Sequence, residues 1–142
     1  MAENKNALDE LNKGCTIGIE AINSLMNKVN NHELKNTLEK LLKIYDKIED
    51  KIHVQYNKYS GEEPHEIGSF EKVMTNYMSN MKTMMDHTDS KIVEVILQGI
   101  NMGIIEGRKI INNKKIDKAV EKLLKEFIDD QEKIIEDLKK YL

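Results

Sequence analysis

Four glycines at two matching places constrain this chain more than any other feature. Gly14 and Gly18 stand in the run Lys13-Gly14-Cys15-Thr16-Ile17-Gly18-Ile19-Glu20, and Gly99 and Gly103 stand in Gln98-Gly99-Ile100-Asn101-Met102-Gly103-Ile104-Ile105-Glu106. In each pair the glycines are four apart within an apolar run, with a glutamate after it. That spacing puts both members of a pair on one helix face. A helix also gives up about 1 kcal/mol at each glycine relative to Ala, so close packing has to compensate.

The match continues downstream. Glu39-Lys40-Leu41-Leu42-Lys43 corresponds to Glu121-Lys122-Leu123-Leu124-Lys125, Tyr45 to Phe127, Lys51-Ile52 to Lys133-Ile134, and Lys58-Tyr59 to Lys140-Tyr141. The register holds to the last aromatic residue of each half, which favours a duplicated helical hairpin.

Apolar steps of three and four give the helices. The first is predicted over Asn4 to Val29, with Leu8, Leu11, Cys15, Gly18, Ile22, Leu25 and Val29 along its seam. Asn31 is a suitable N-cap for a second helix, His32 to Tyr59, with the seam Leu34, Leu38, Leu41, Tyr45, Ile48, Ile52, Gln55 and Tyr59. The short turn between them requires an antiparallel pair. Gly61 and Pro64 end the second helix, and Glu62 to Gly68 reads as a loop with His65 exposed. A shorter helix capped by Ser69 follows, Phe70 to Asp86. The third long helix, Ser90 to Asn112, is apolar on several sides and is expected to be the most buried. The fourth runs from Ile116 to Tyr141 with Val120, Leu124, Phe127, Gln131, Ile134 and Leu138 inward.

Composition excludes several functions. The chain has 142 residues, 39% apolar and 33% charged, with one Pro and no Trp, which suits one helical domain over 1–142. Net charge is −3 with the signs interspersed, and Arg108 is the only Arg, so no nucleic-acid partner is expected. Val95 to Ile105 is too short to span a bilayer, which needs roughly 20 apolar residues, so membrane insertion is not expected. The charged N-terminus is not a signal sequence and Cys15 is the only cysteine, so a cytoplasmic protein without disulfides is expected. No nucleophile triad, phosphate loop or dinucleotide motif is present.

Two antiparallel hairpins joined by a long connection describe an all-α four-helix bundle with an extra short helix in the crossover, the ferritin-like arrangement. Three segments carry a family resemblance. Leu11-Asn12-Lys13-Gly14 with Ile17-Gly18-Ile19-Glu20, Gly61-Glu62-Glu63-Pro64, and Gln98-Gly99 through Met102-Gly103-Ile104 resemble small ferritin-like proteins of unknown function from low-GC spore-forming bacteria, related to the DUF2383 group. The resemblance spans nearly the whole chain, rests on glycines and core positions, and implies a fold without naming a reaction.

Ferritin-like di-iron proteins set a carboxylate on each of two helices and Glu-x-x-His on each of the others. Here Asp50-Lys51-Ile52-His53 has the right spacing, while its counterpart Glu132-Lys133-Ile134-Ile135 lacks the imidazole. At matching height along the bundle, Asp9 or Glu10 faces the first pair and Glu94 the second. Glu20 and Glu106 fall level with leucines. The metal candidates are therefore Asp9, Asp50, His53, Glu94 and Glu132, for iron or manganese. Because the set is degenerate, the favoured reading is a structural or interaction protein without catalysis and with no cofactor. Self-association or a protein partner is the expected mode of action.

Met74, Met78, Met81 and Met85 form a stripe on the crossover helix, a candidate partner surface or soft-metal site. Phe70, Val73 and Tyr77 share that face, which favours packing on the bundle. Cys15, on the first seam, is expected to be buried and inert. His32 and His87, at helix junctions, are expected to be exposed.

Overall fold

The computed structural model describes residues 2–61 and 69–142, for 69–72 the backbone only. The described helices are α1 (Asn4–Met26), α2 (His32–Tyr56), α3 (Ser69–Lys82), α4 (Asp89–Asn113) and α5 (Lys118–Lys139); a 3-10 turn, Asn57–Tyr59, extends α2. Among the described residues there is no strand, and no helix is long and apolar enough to cross a membrane. The expected loop Glu62 to Gly68, with Pro64 and His65, lies outside the described residues, as does the Phe70 side chain.

The helix ends follow local hydrogen bonding. The Asn31 side chain accepts from the Leu34 amide at 3.1 Å and starts α2, and the Thr88 hydroxyl accepts from the Lys91 amide at 3.3 Å and starts α4. Helix α1 stops at Met26, three residues before the expected end. There the amides of Lys28 and Val29 turn back to the carbonyls of Leu25 and Met26, tightening the last turn. Val29 still reaches the core. Helix α3 begins at Ser69 itself and ends at Lys82, four residues short of the expected Asp86.

α1 packs on α2, α4 on α5, and α2 on α5, while α3 lies across α1 and α4. The α2–α5 register is antiparallel. Tyr45 bonds Gln131, and further along α2 Lys51 bonds Glu126, earlier on α5. The molecule is thus a four-helix bundle of two antiparallel hairpins with a short crossover helix. Its core holds Leu8, Ile22, Leu38, Ile48, Ile92, Ile100, Leu124 and Phe127, each at 2% exposure or less. The expectation that α4 would be the most buried helix holds only in part. Helices α1 and α4 each bury ten residues, because α3 covers both.

Polar clasps tie the hairpins at both ends. At one end the Asp89 carboxylate accepts the amides of Asn30 at 2.8 Å and Asn31 at 2.9 Å. At the other, the Glu3 amide donates to the Lys115 carbonyl at 2.8 Å, and the Asp117 amide donates to the Asn4 side chain at 2.7 Å.

Candidate functional site

The glycine pairs on α1 and α4 converge on the middle of the bundle. Gly14, Gly18, Gly99 and Gly103 line one small cavity with Tyr45, Tyr77, Phe127 and Gln131. The space left by the missing side chains is filled by rings from the other helices. A Cβ on Gly18 would fall 2.8 Å from the Tyr45 ring, and one on Gly99 would fall 2.8 Å from the ring and hydroxyl of Tyr77. At Gly103 the contact is looser, 3.7 Å from the edge of Phe127. The four-residue spacing predicts close helix approach at these glycines; at Gly18 and Gly99 a tyrosine ring occupies the gap instead.

The polar atoms of the centre are hydrogen-bonded to one another. The Tyr45 hydroxyl donates to Gln131 Oε1 at 2.9 Å, and the Tyr77 hydroxyl donates to the Val95 carbonyl at 2.9 Å. Gln131 Nε2 reaches the Phe127 carbonyl at 3.4 Å. Burial holds both phenols protonated: the Tyr77 pKa is pushed up to about 12, and that of Tyr45 is also raised, with Cys15 and Tyr77 nearby adding to the effect. The Cys15 thiol is fully buried, and desolvation, reinforced by Glu49 and Asp46, pushes it up as well. No group here is a ready nucleophile or base near neutral pH.

The sequence-predicted metal residues are spread over the surface. Asp9 and His53 come together in an open pocket of about 290 Å³ with Asn12, Ile52, Tyr56 and Asn57. Asp50 lines a separate groove between α2 and α5 with Lys51, Val54, Gln55 and Glu126. Glu94 is exposed and paired with Lys91, and Glu132 is exposed on α5. Among the described residues, no group of three or more His, Cys, Asp or Glu is placed to hold a metal ion. Of the methionines, Met74 and Met81 are buried and Met78 packs partly against the core; Met85, beyond the end of α3, is 92% exposed. His32 is exposed, and His87 is half-buried beside the Lys28 ammonium.

Two glutamates outside the predicted metal set are inside. Glu10 and Glu106 are 8% and 5% exposed. Burial raises the Glu10 pKa, and Glu106 and Glu3 add to the rise, while Lys114 and Lys13 oppose it. Glu106 meets Lys109 at 3.4 Å. Asp9, chosen over Glu10 from the sequence, is only half-buried. No sequence signal separated the two, since Asp9 adjoins the seam leucine Leu8 as Glu10 adjoins Leu11. On α2, Gln55 Oε1 is buried without a hydrogen-bond partner among the described residues.

No protein-family model matches the chain, and no curated protein matches it. Among solved structures it is similar to the bacterioferritin-related protein from Bacteroides fragilis, a dodecameric thioferritin, with a TM-score of 0.72. The two are 13% identical, and the match covers 99% of this chain and 86% of that one. At that identity the likeness is one of fold, and this chain has the ferritin-like fold. Di-metal proteins of the fold turn carboxylates and Glu-x-x-His pairs into the bundle. Here the bundle centre presents Tyr45, Tyr77, Phe127 and Gln131, and these residues do not fit such a centre.

Proposed function

We propose that this chain is a structural or protein-interaction module on the ferritin-like fold, acting through self-association or a protein partner and without catalysis. The observation that carries this reading is the plugged bundle centre. The Tyr45–Gln131 hydrogen bond and the Phe127 and Tyr77 rings fill the bundle centre, and none of these side chains is an anionic or imidazole donor. Likeness to a protein that is a dodecamer supports self-association. A place among the small ferritin-like proteins of low-GC spore-formers, and a duplicated hairpin, belong to the same reading. The duplicated hairpin is supported by the matching contacts of Tyr45 with Gly18 and of Phe127 with Gly103. A cytoplasmic setting is part of it, supported by the single free thiol.

The test is a solution mass measurement together with iron, manganese and zinc content after aerobic purification. An assembly larger than one chain, carrying only traces of metal, is expected. A monomer would count against self-association, and stoichiometric metal would overturn the reading of the centre. Met85 is the methionine of the stripe most available to a partner. Its replacement by lysine is expected to weaken a partner contact made there, and equal recovery in pull-down counts against that surface.

A second reading is a metal-binding oxidoreductase using Asp9, Asp50, His53, Glu94 and Glu132 with iron or manganese. The pocket shared by Asp9 and His53 is the observation in its favour. Bound metal that is lost in His53→Ala would support it, and metal content unchanged by that substitution would sink it.

A further inference from the structure

We propose that the glycine-lined cavity at the bundle centre is a binding site for one water molecule, held by Tyr45, Tyr77 and Gln131. The cavity is about 20 Å³, while a cavity needs roughly 10–15 Å³ to hold one water. Its polar groups line the cavity close beside the glycines. Measured from ideal Cβ positions, Tyr77 Oη lies 2.8 Å from that of Gly99, Tyr45 Oη 3.2 Å from that of Gly18, and Gln131 Oε1 3.8 Å from that of Gly103. All three side chains are more than nine-tenths buried.

Their hydrogen-bonding capacity is only partly used. Each phenol donates its one proton, Tyr45 to Gln131 and Tyr77 to Val95, and keeps oxygen lone pairs. The Gln131 amide nitrogen has two protons, and its bond to Phe127 is long, 3.4 Å. A water that donates to both phenols and accepts from the amide makes three hydrogen bonds, the usual number for a buried water. It links α3 through Tyr77 to α2 and α5 through Tyr45 and Gln131, and so latches the crossover helix to the bundle. Such a water does not depend on self-association of the chain.

Crystal structures test it. In the wild-type crystal, one oxygen-sized density peak in the cavity is expected within hydrogen-bond distance of at least two of the three groups. A crystal of the same protein under xenon pressure is expected to keep that peak and admit no xenon, because only apolar, dry cavities take it up. The Gln131→Leu/Tyr77→Phe double variant is expected to lose the water. An empty cavity, or xenon in the wild-type cavity, overturns the proposal without need of any variant. Water retained in the double variant overturns the assignment of its ligands.

Discussion

Gly18 and Gly103 match in the sequence, yet alanine should stabilise the chain at Gly103 and fail to stabilise it at Gly18. Both substitutions gain about 1 kcal/mol of helix propensity. At Gly103 the new methyl meets Phe127 at 3.7 Å and Gln131 at 3.8 Å, ordinary contact distances, so the gain is kept. At Gly18 it meets two ring carbons of Tyr45 at 2.8 Å. That ring cannot swing away, since it is buried and its hydroxyl is bonded to Gln131. Overpacking costs about 1–3 kcal/mol, which leaves Gly18→Ala neutral to about 2 kcal/mol less stable after the propensity gain. The assay is urea unfolding followed by circular dichroism, with thermal melts as a check at about 3 °C per kcal/mol for a chain near this size. In a Tyr45→Leu background the ring is gone and Gly18→Ala should become stabilising. The reasoning is refuted if both alanines shift the midpoint the same way, or if the loss at Gly18 persists without the ring.

Further predictions concern charge, reactivity and the clasps. Gly103→Leu reaches past the free space into Phe127 and should lower the melting temperature; an unchanged melt would mean the site is open. The raised Glu10 pKa means the folded chain holds that proton more tightly than the unfolded chain does. Its favourable contribution is therefore full below 4.5 and lost as pH rises through the folded value. Glu10→Gln should accordingly gain stability over wild type as pH rises above 4.5, and parallel pH curves from urea midpoints would contradict this. Glu126 has the opposite sign. Lys51 holds its pKa down, so its contribution disappears as pH falls through the folded value, in wild type and Glu10→Gln alike. Cys15 should resist a thiol reagent until the protein unfolds; rapid labelling of the native form would contradict its burial. Asp89→Ala removes the acceptor of two loop amides and should cost about 1–3 kcal/mol in urea unfolding.

Most of the architecture was legible because the seams are strongly periodic. Leu8, Leu11, Ile22 and Leu25 on α1, and Leu34, Leu38, Leu41 and Ile48 on α2, all proved buried. Helix ends were less legible: backbone hydrogen bonds close the turn after Met26, and past Lys82 the Thr83 hydroxyl turns back to the Ser79 and Asn80 carbonyls, a bond that a threonine makes as readily inside a helix as at its end. That early stop is why Met85, in step with the stripe by number, ends up exposed. The centre was half legible. Tyr45 and Gln131 stood on their seams as polar exceptions, but their pairing across 86 positions depends on how α2 meets α5. Height along a hairpin ranked Asp9 with Glu10 but could not choose the inward one, since adjacent helix residues differ by about 100° around the axis.

The ring-and-gap contacts also bear on why the bundle has one alignment. Leucine seams repeat every turn or so, and one turn of such a seam can substitute for the next, so a bundle held by them alone could settle with its helices slid along one another. A tyrosine ring fits only where a Cβ is missing. Tyr45 at Gly18 and Tyr77 at Gly99 therefore act as detents, one setting the height of α2 on α1 and the other the height of α3 on α4. In that sense these glycines exclude the shifted neighbours of the native alignment more than they strengthen it.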